Sequence, residues 1–314
     1  MAAIIGPGEV AWGFQLPVQS QSTIYAQPWE GGSGPDELLR IAQAADRAGA
    51  LYVAVCDHVA IPRPSDESMS TVWYDTVATL AWLGGQTERV GLLSHVYVLG
   101  YRHPLVTAKA FSTLDHLTGG RALLGVGAGH LQSEFELLGA DFAGRGPALD
   151  DAIRVVRAAF AEEYPTTGGP GAEVGVGMSP RPARAGGPPI WVGGSSRAAI
   201  VRAARLADGW LPQGPPKMGV RAAVELIRSL REEAGLPTAF DLGVNCEPVY
   251  VGTPSHEVSE WTVTGPAEQL AERLRRYPER GMNQLQVRFT ATSAAEYAEQ
   301  VERFGAEVAP LLAG

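Results

Sequence analysis

Residues 89–127, RVGLLSHVYVLGYRHPLVTAKAFSTLDHLTGGRALLGVG, hold two apolar runs separated by an amphipathic stretch. The runs, at 89–96 and 121–127, have the short and largely apolar composition of parallel strands that are covered on both faces. Between them, residues 104–117 begin with a proline, repeat apolar residues at helical spacing and stop before a Gly-Gly pair. The order predicts a strand, a helix and a second strand in succession.

The same alternation continues in both directions along the chain. It predicts further strands at 10–16, 50–56, 189–193, 208–211, 240–246 and 283–289. It predicts further helices at 35–48, 75–84, 147–160, 196–206, 219–234, 266–277 and 294–309. Eight strand–helix units without a long linker favour an α/β fold of the (β/α)8 TIM-barrel type, with residues 1–314 as a single domain. A doubly wound sheet is disfavoured, because residues 17–20 after the first strand form no phosphate-binding loop.

Residues 164–189, YPTTGGPGAEVGVGMSPRPARAGGPP, interrupt this alternation. The segment is too rich in Gly and Pro for a helix, so we interpret it as an insertion between units 4 and 5. A lid over the active site and a mobile surface loop are equally consistent with its length and composition.

Composition narrows the classes of function. With 25 Lys and Arg against 34 Asp and Glu, the formal net charge is −9, and no basic run is present, which argues against nucleic acid as a partner. No apolar run approaches the ~18 residues of a membrane span, and the start, MAAIIGPGEV, does not resemble a secretion signal. The two cysteines fit a reducing compartment. We therefore expect a cytoplasmic protein whose partner is a small-molecule substrate.

In a barrel of this kind the active site lies at the carboxyl ends of the strands. Four histidines, His58, His95, His103 and His130, fall at or just beyond the ends of predicted strands 2, 3 and 4. The pair formed by Asp57 and His58 emerges directly from strand 2, where an imidazole beside a carboxylate can donate a proton. The alternative is a hydrogen-bonded pair with a structural role.

Two glycine-containing turns are candidate ligand sites. Residues 125–129, GVGAG, precede His130 and let a flat ligand approach the backbone, although the glycines can also serve packing alone. Residues 193–196, GGSS, open a helix and can form an anion cradle, although an ordinary Ser cap is equally consistent with them. No HxH or HExxH spacing supplies metal ligands, and convergence of three separate histidines on zinc is a minor alternative, so we predict no metal.

Several segments follow one another in a recognisable order. They are WGFQLP (12–17), AVCDH (54–58), TERVGL (87–92), YRHP (101–104), LDHLTGGR (114–121), EFELLG (134–139), PPIWVGG (188–194) and AARLADGW (203–210). Together they resemble the bacterial luciferase-like superfamily, most closely the branch that uses the deazaflavin coenzyme F420. The resemblance implies a TIM barrel whose mouth holds the coenzyme, and a homodimer.

The resemblance also implies roles for individual residues. Asp57 and His58 would lie at the coenzyme ring. Ser94, His95 and Val96 would line the ring face, with a non-prolyl cis peptide between His95 and Val96. The residues on the phosphate side would be Gly127, Gly129, Gly193, Gly194 and Ser195. Two departures are visible: the closest branch commonly has Trp where this chain has His130, and residues 164–189 lack an expected aromatic hairpin.

The leading hypothesis is an oxidoreductase that transfers a hydride between F420 and a small organic substrate, with His58, His130 and Asp57 as catalytic residues. The alternatives are a monooxygenase that consumes reduced FMN and oxygen, and a barrel that binds a cofactor without catalysis. Further candidates for the pocket are Lys109, Tyr97 and Arg102, and for a polyanionic coenzyme tail Arg63, Arg181 and Arg184.

Overall fold

The computed structural model describes residues 3–165 and 177–312 of the chain. Its strands are β1 (Ala11–Gln15), β2 (Tyr52–Val55), β3 (Gly91–Val98), β4 (Ala122–Gly127), β5 (Ile190–Val192), β6 (Gly209–Trp210), β7 (Asp241–Val251), β8 (Val263–Gly265) and β9 (Gln284–Phe289). Seven of them coincide with predicted strands to within two residues, and β7 extends five residues beyond the predicted end at 246. The remaining strand is β8, a three-residue strand that the apolar pattern does not indicate.

The strands close into a barrel. Parallel pairing runs in chain order from β1 to β7, passes from β7 to β9, and returns from β9 to β1, where Ala11 lies beside Gln284. β8 stays outside this ring and pairs with the far end of β7. The TIM barrel predicted from the sequence is therefore confirmed, with β8 as an addition to it.

Helices surround the barrel between successive strands. They are α1 (Pro35–Ala48), α2 (Asp66–Met69), α3 (Thr76–Gly84), α4 (Pro104–Leu117), α5 (Gln132–Leu137), α6 (Arg145–Ala161), α7 (Arg197–Leu206), α8 (Val220–Glu233), α9 (Ala267–Arg275) and α10 (Ala294–Arg303). The predicted helix 294–309 is α-helical only to Arg303 and continues as a π-helical turn over Phe304–Val308. No helix within the described ranges is long and apolar enough to cross a membrane.

The barrel interior is packed with side chains at the amino ends of the strands. Tyr52, Leu93, Leu123 and Trp191 are buried in one cluster, which also includes Leu211 just after β6. Beneath them the amino-terminal segment closes the barrel, because the amides of Ile4 and Ile5 donate to the Asp241 carboxylate at 3.1 and 3.2 Å. Burial raises the pKa of Asp241 to about 6. The interior of the barrel is therefore filled with side chains at this end.

Residues 177–189 of the predicted insertion also lie at this amino-terminal end. Arg181 donates to the carbonyl of Ala159 near the end of α6, and Arg184 donates to the carbonyl of Gly120 after α4. Helices in this fold run antiparallel to the strands, so both arginines lie far from the mouth. This placement disfavours Arg181 and Arg184 as contributors to a coenzyme tail and agrees with the alternative that they have a surface role. The rest of the predicted lid or loop, residues 166–176, lies outside the described residues.

Candidate active site

His58 lies three residues after the end of β2 and is held by a buried carboxylate. Its Nδ1 lies 2.7 Å from Oε2 of Glu134, in the first turn of α5. A carboxylate only accepts hydrogen bonds, so we assign the proton to Nδ1, which leaves Nε2 as the basic nitrogen of the neutral ring. The pair thus fixes both the orientation and the tautomer of His58.

Glu134 receives donors from several directions. Oε1 accepts from the amide of Val59 at 2.6 Å, and Oε2 accepts from the Tyr101 hydroxyl at 2.7 Å as well as from His58. Burial by itself raises the pKa of a carboxyl group, but the hydrogen bonds from His58, Tyr101 and Val59 outweigh it and lower the pKa of Glu134. Burial, together with the hydrogen bond to this carboxylate, raises the pKa of Tyr101. Glu134 is therefore ionised and Tyr101 is neutral near pH 7.

Two aromatic rings flank His58. The Trp73 ring lies 4.4 Å away between centroids, and the His130 ring lies 5.7 Å away with its plane nearly perpendicular. His130 is exposed to solvent. Partial desolvation and the neighbouring His58 lower the pKa of His130. The structure therefore brings together two histidines from different predicted strand ends, and the lowered pKa of His130 favours its neutral form.

Asp57 contacts other partners than the adjacent His58 does. Both of its carboxylate oxygens accept from Arg102, at 2.7 and 3.0 Å, and Oδ2 also accepts from the amide of Val98 at 2.8 Å. The Arg102 guanidinium stacks 4.0 Å from the ring centroid of Tyr97. Such a buried bidentate pair favours a role for Asp57 in positioning the end of β2 against β3. Arg102 and Tyr97, predicted as pocket residues, are part of this support.

His95 lies inside the barrel below the mouth and is only 1% exposed. Its Nε2 bonds the carbonyl of Leu211 at 2.9 Å, and burial lowers the pKa of His95 to about 4, so the ring is neutral and Nε2 donates. Within the described residues, Nδ1 is a buried acceptor without a donor. The peptide bond between His95 and Val96 is cis, as predicted. Ser94 donates to the carbonyl of Gly125.

Val96 packs against two of the predicted glycines. A Cβ atom at Gly127 would lie 2.5 Å from Val96 Cγ2, and one at Gly193 would contact Val96 Cγ1 even more closely. A Cβ at Gly129 would meet the Phe135 ring. These glycines therefore serve the packing function that the sequence left open, and they bring the ends of β3, β4 and β5 together at the mouth. Their contact with a cofactor stays a prediction.

The turn before α7 lies at the end of β5. Gly194 adopts a φ of +89°, and its carbonyl accepts from Trp210 Nε1 at 2.9 Å. The Ser196 hydroxyl caps α7 by accepting from the amide of Ala199, whereas Ser195 is half-buried. The Ser-cap interpretation is thus confirmed for Ser196, and the positive end of the α7 dipole still faces the turn. Across the described ranges, no three His, Cys, Asp or Glu side chains are placed to hold a metal ion.

Comparison with known proteins decides the family. The sequence pattern of the luciferase-like monooxygenase family matches residues 12–308. The chain belongs to this family. The predicted recognition of the luciferase-like superfamily is therefore confirmed, and the chain is a luciferase-like oxidoreductase.

The luciferase-like proteins that this chain resembles carry different functional descriptions. The chain is 32% identical to an uncharacterized protein of Mycobacterium tuberculosis over 66% of its own length and 75% of that protein. It is 35% identical to a putative coenzyme F420-dependent oxidoreductase of the same organism, over 44% of this chain and 43% of that protein. The monooxygenase RslO1 of Streptomyces bottropensis has the same fold, with a TM-score of 0.75 at 20% identity over 96% of this chain and 99% of RslO1.

Sequence reasoning missed three members of this luciferase-like site. Glu134 and Tyr101 stand in the segments EFELLG and YRHP, which carry the family resemblance but no predicted role, and Trp73 stands in neither a motif nor a predicted strand end. Glu134 is 76 residues from His58 in the sequence. One signal was available: Glu134 lies five residues after the glycine turn that ends at Gly129, in a short segment where a helix can begin at the mouth.

Proposed function

We propose that this chain transfers a hydride between coenzyme F420 and a small organic substrate, and that His58 exchanges the accompanying proton. The observation that carries the proposal is the contact between His58 Nδ1 and Glu134. It leaves Nε2 available to accept or donate a proton, as a general acid or base requires. Similarity to a putative F420-dependent oxidoreductase supports the choice of coenzyme.

The residues at the mouth fit a flat coenzyme with an anionic arm. Val96, packed against Gly127 and Gly193, provides an apolar side chain at the mouth, and the buried Nδ1 of His95 is an acceptor without a protein donor among the described residues. The amino end of α7, with Gly194 and Ser195 before it, suits a phosphate group. When bound, F420 supplies the hydride chemistry.

The chain's own contribution is orientation and proton handling. Glu134, which accepts a hydrogen bond from Tyr101, holds His58 in one tautomer, and ionised Glu134 stabilises the imidazolium that forms when Nε2 takes up a proton. In the reverse direction the same imidazolium donates. His130, with its lowered pKa and exposed position, provides a second neutral imidazole 5.7 Å from His58 through which the proton exchanges with solvent.

The test is titration of the purified chain with F420 and with FMN, followed by turnover assays of variants. We expect F420 to bind, and we expect His58→Ala to lower kcat by roughly 10²- to 10⁴-fold while the Kd for F420 changes little. Glu134→Gln should lower kcat by roughly 10- to 100-fold. His116→Ala, on the exposed side of α4, is the matched control. Absence of F420 binding would refute the proposal.

A second candidate is a monooxygenase that uses reduced FMN and oxygen. It is favoured by the family match, which covers residues 12–308. Tight FMN binding with substrate-dependent oxygen uptake, and no binding of F420, would establish it. A barrel that binds a cofactor but catalyses nothing would show unchanged cofactor affinity in His58→Ala and His130→Ala, and no turnover by the unmodified chain.

A further inference from the structure

Two loops form an apolar lip on one side of the barrel mouth. We define the lip as residues 19–29, after β1, and residues 69–74, before α3. The segments run beside each other: the Gln21 amide donates to the carbonyl of Val72 at 3.1 Å, and the Tyr74 amide donates to the carbonyl of Gln19 at 2.9 Å. These backbone bonds make the lip one defined surface.

The lip exposes large apolar side chains and contains no charged residue. Ile24 is 68% exposed, Tyr25 is 61% exposed and Val72 is 36% exposed. Neither segment contains Asp, Glu, Lys, Arg or His, in a chain of which 19% of residues are charged. Single exposed apolar residues are ordinary, but three of them on two hydrogen-bonded loops beside the candidate active site favour a surface that binds a ligand.

The lip is continuous with the candidate active site. Trp73 pairs with Ser20 inside the lip, and its ring contacts the His58 ring at 4.4 Å between centroids. At the other end, Arg288 of β9 donates to the carbonyl of Tyr25 and lies 5.3 Å from its ring centroid. The lip therefore extends from the end of β9 to the imidazole that exchanges the proton.

We propose that the lip is the substrate subsite and that the substrate is an uncharged, predominantly apolar small molecule. The inference rests on the proposed function for the reaction of the substrate, whereas binding of the substrate to the lip does not depend on that function. An apolar substrate gains affinity by removing its own surface and that of Ile24 and Val72 from water. An anionic substrate finds no cation within the lip segments, and Arg288 is already engaged by Tyr25.

The probes are a series of 2-alkanones from 2-butanone to 2-octanone, with glucose 6-phosphate as the anionic comparison. Binding to the full chain is measured by calorimetry, with and without F420. We expect the Kd to fall by up to about fourfold for each added methylene. Replacing both exposed side chains, in Ile24→Ser/Val72→Ser, should raise the Kd for 2-octanone by roughly tenfold and reduce the dependence of the Kd on chain length.

The control is Leu117→Ser at the far end of α4, which is 73% exposed and lies outside the lip. It should keep the affinities of the unmodified chain. No dependence on chain length, equal affinities in the double variant, or tighter binding of glucose 6-phosphate would each overturn the inference. So would a double variant that changes the sedimentation of the chain and not its ketone affinity, because the lip would then be a contact between copies.

The two proposals fail in distinguishable ways. If the ketone series binds through the lip but neither F420 binding nor turnover is found, the proposed function is wrong and the subsite stands. If F420 binds and His58→Ala abolishes turnover, but the ketones show no preference for length, the proposed function stands and the subsite is wrong.

Discussion

His95 should make the stability of this barrel sensitive to acid. Burial lowers the pKa of His95 from 6.5 to about 4. Between these pH values the imidazole is protonated in the unfolded chain and neutral in the folded chain. The stabilising contribution is complete above pH 6.5 and decreases as pH falls toward 4. At pH 5 the two pKa values correspond to about a 30-fold larger unfolding equilibrium constant than at pH 7.5, or about 2 kcal/mol of unfolding free energy.

The perturbation is His95→Gln, whose amide can still donate to Leu211 but does not titrate. Urea unfolding of both proteins, followed by circular dichroism at pH 7.5 and pH 5, gives the comparison. We expect the unmodified chain to lose about 2 kcal/mol more than the variant between these pH values. His116→Gln, on the exposed side of α4, controls for the loss of an imidazole. Equal losses in His95→Gln and the unmodified chain would refute the assignment of a buried neutral His95.

Three further predictions concern the supports of the site. Arg102→Ala leaves the buried Asp57 carboxylate without its bidentate partner and should lower the unfolding free energy by about 3 kcal/mol in urea titration; a loss below 1 kcal/mol would contradict a buried ion pair. Gly127→Ala places a Cβ atom against Val96 and should cost about 1–3 kcal/mol, measured as a lowered melting temperature, whereas Gly214→Ala, with open space around it, should leave that temperature unchanged. Ser196→Ala removes the cap of α7 and should cost about 1 kcal/mol in the same measurement, with Ser196→Thr expected to retain most of the stability.

The sequence was most informative where local chemistry decides the structure. The helices α1 and α4 begin and end at the predicted residues, 35–48 and 104–117, because a proline at the start and a nearby glycine at the end mark them locally. The apolar strands of the barrel were recognisable for the same kind of reason. β8 was missed because its three residues, VTG, are partly exposed and carry no periodic signal.

The site was only partly accessible from the sequence. The prediction that His58 and His130 emerge at strand ends follows from fold class alone, and the structure places their rings in contact. Which carboxylate serves His58 could not be predicted, because adjacency favours Asp57, whereas the chain directs Asp57 to Arg102 and brings Glu134 to His58 across two loops. Such choices depend on side-chain direction at the barrel rim and not on spacing in the sequence.

The pairing of Ala11 with Gln284 has a consequence for how the protein reaches its native state. The barrel cannot close until β1 pairs with β9, and most of the chain lies between these two strands. Long-range closure of this kind slows folding and leaves open sheet edges while synthesis proceeds. We therefore expect nascent chains that stop short of β9 to associate with one another, and full-length chains to acquire protease resistance in a single late step.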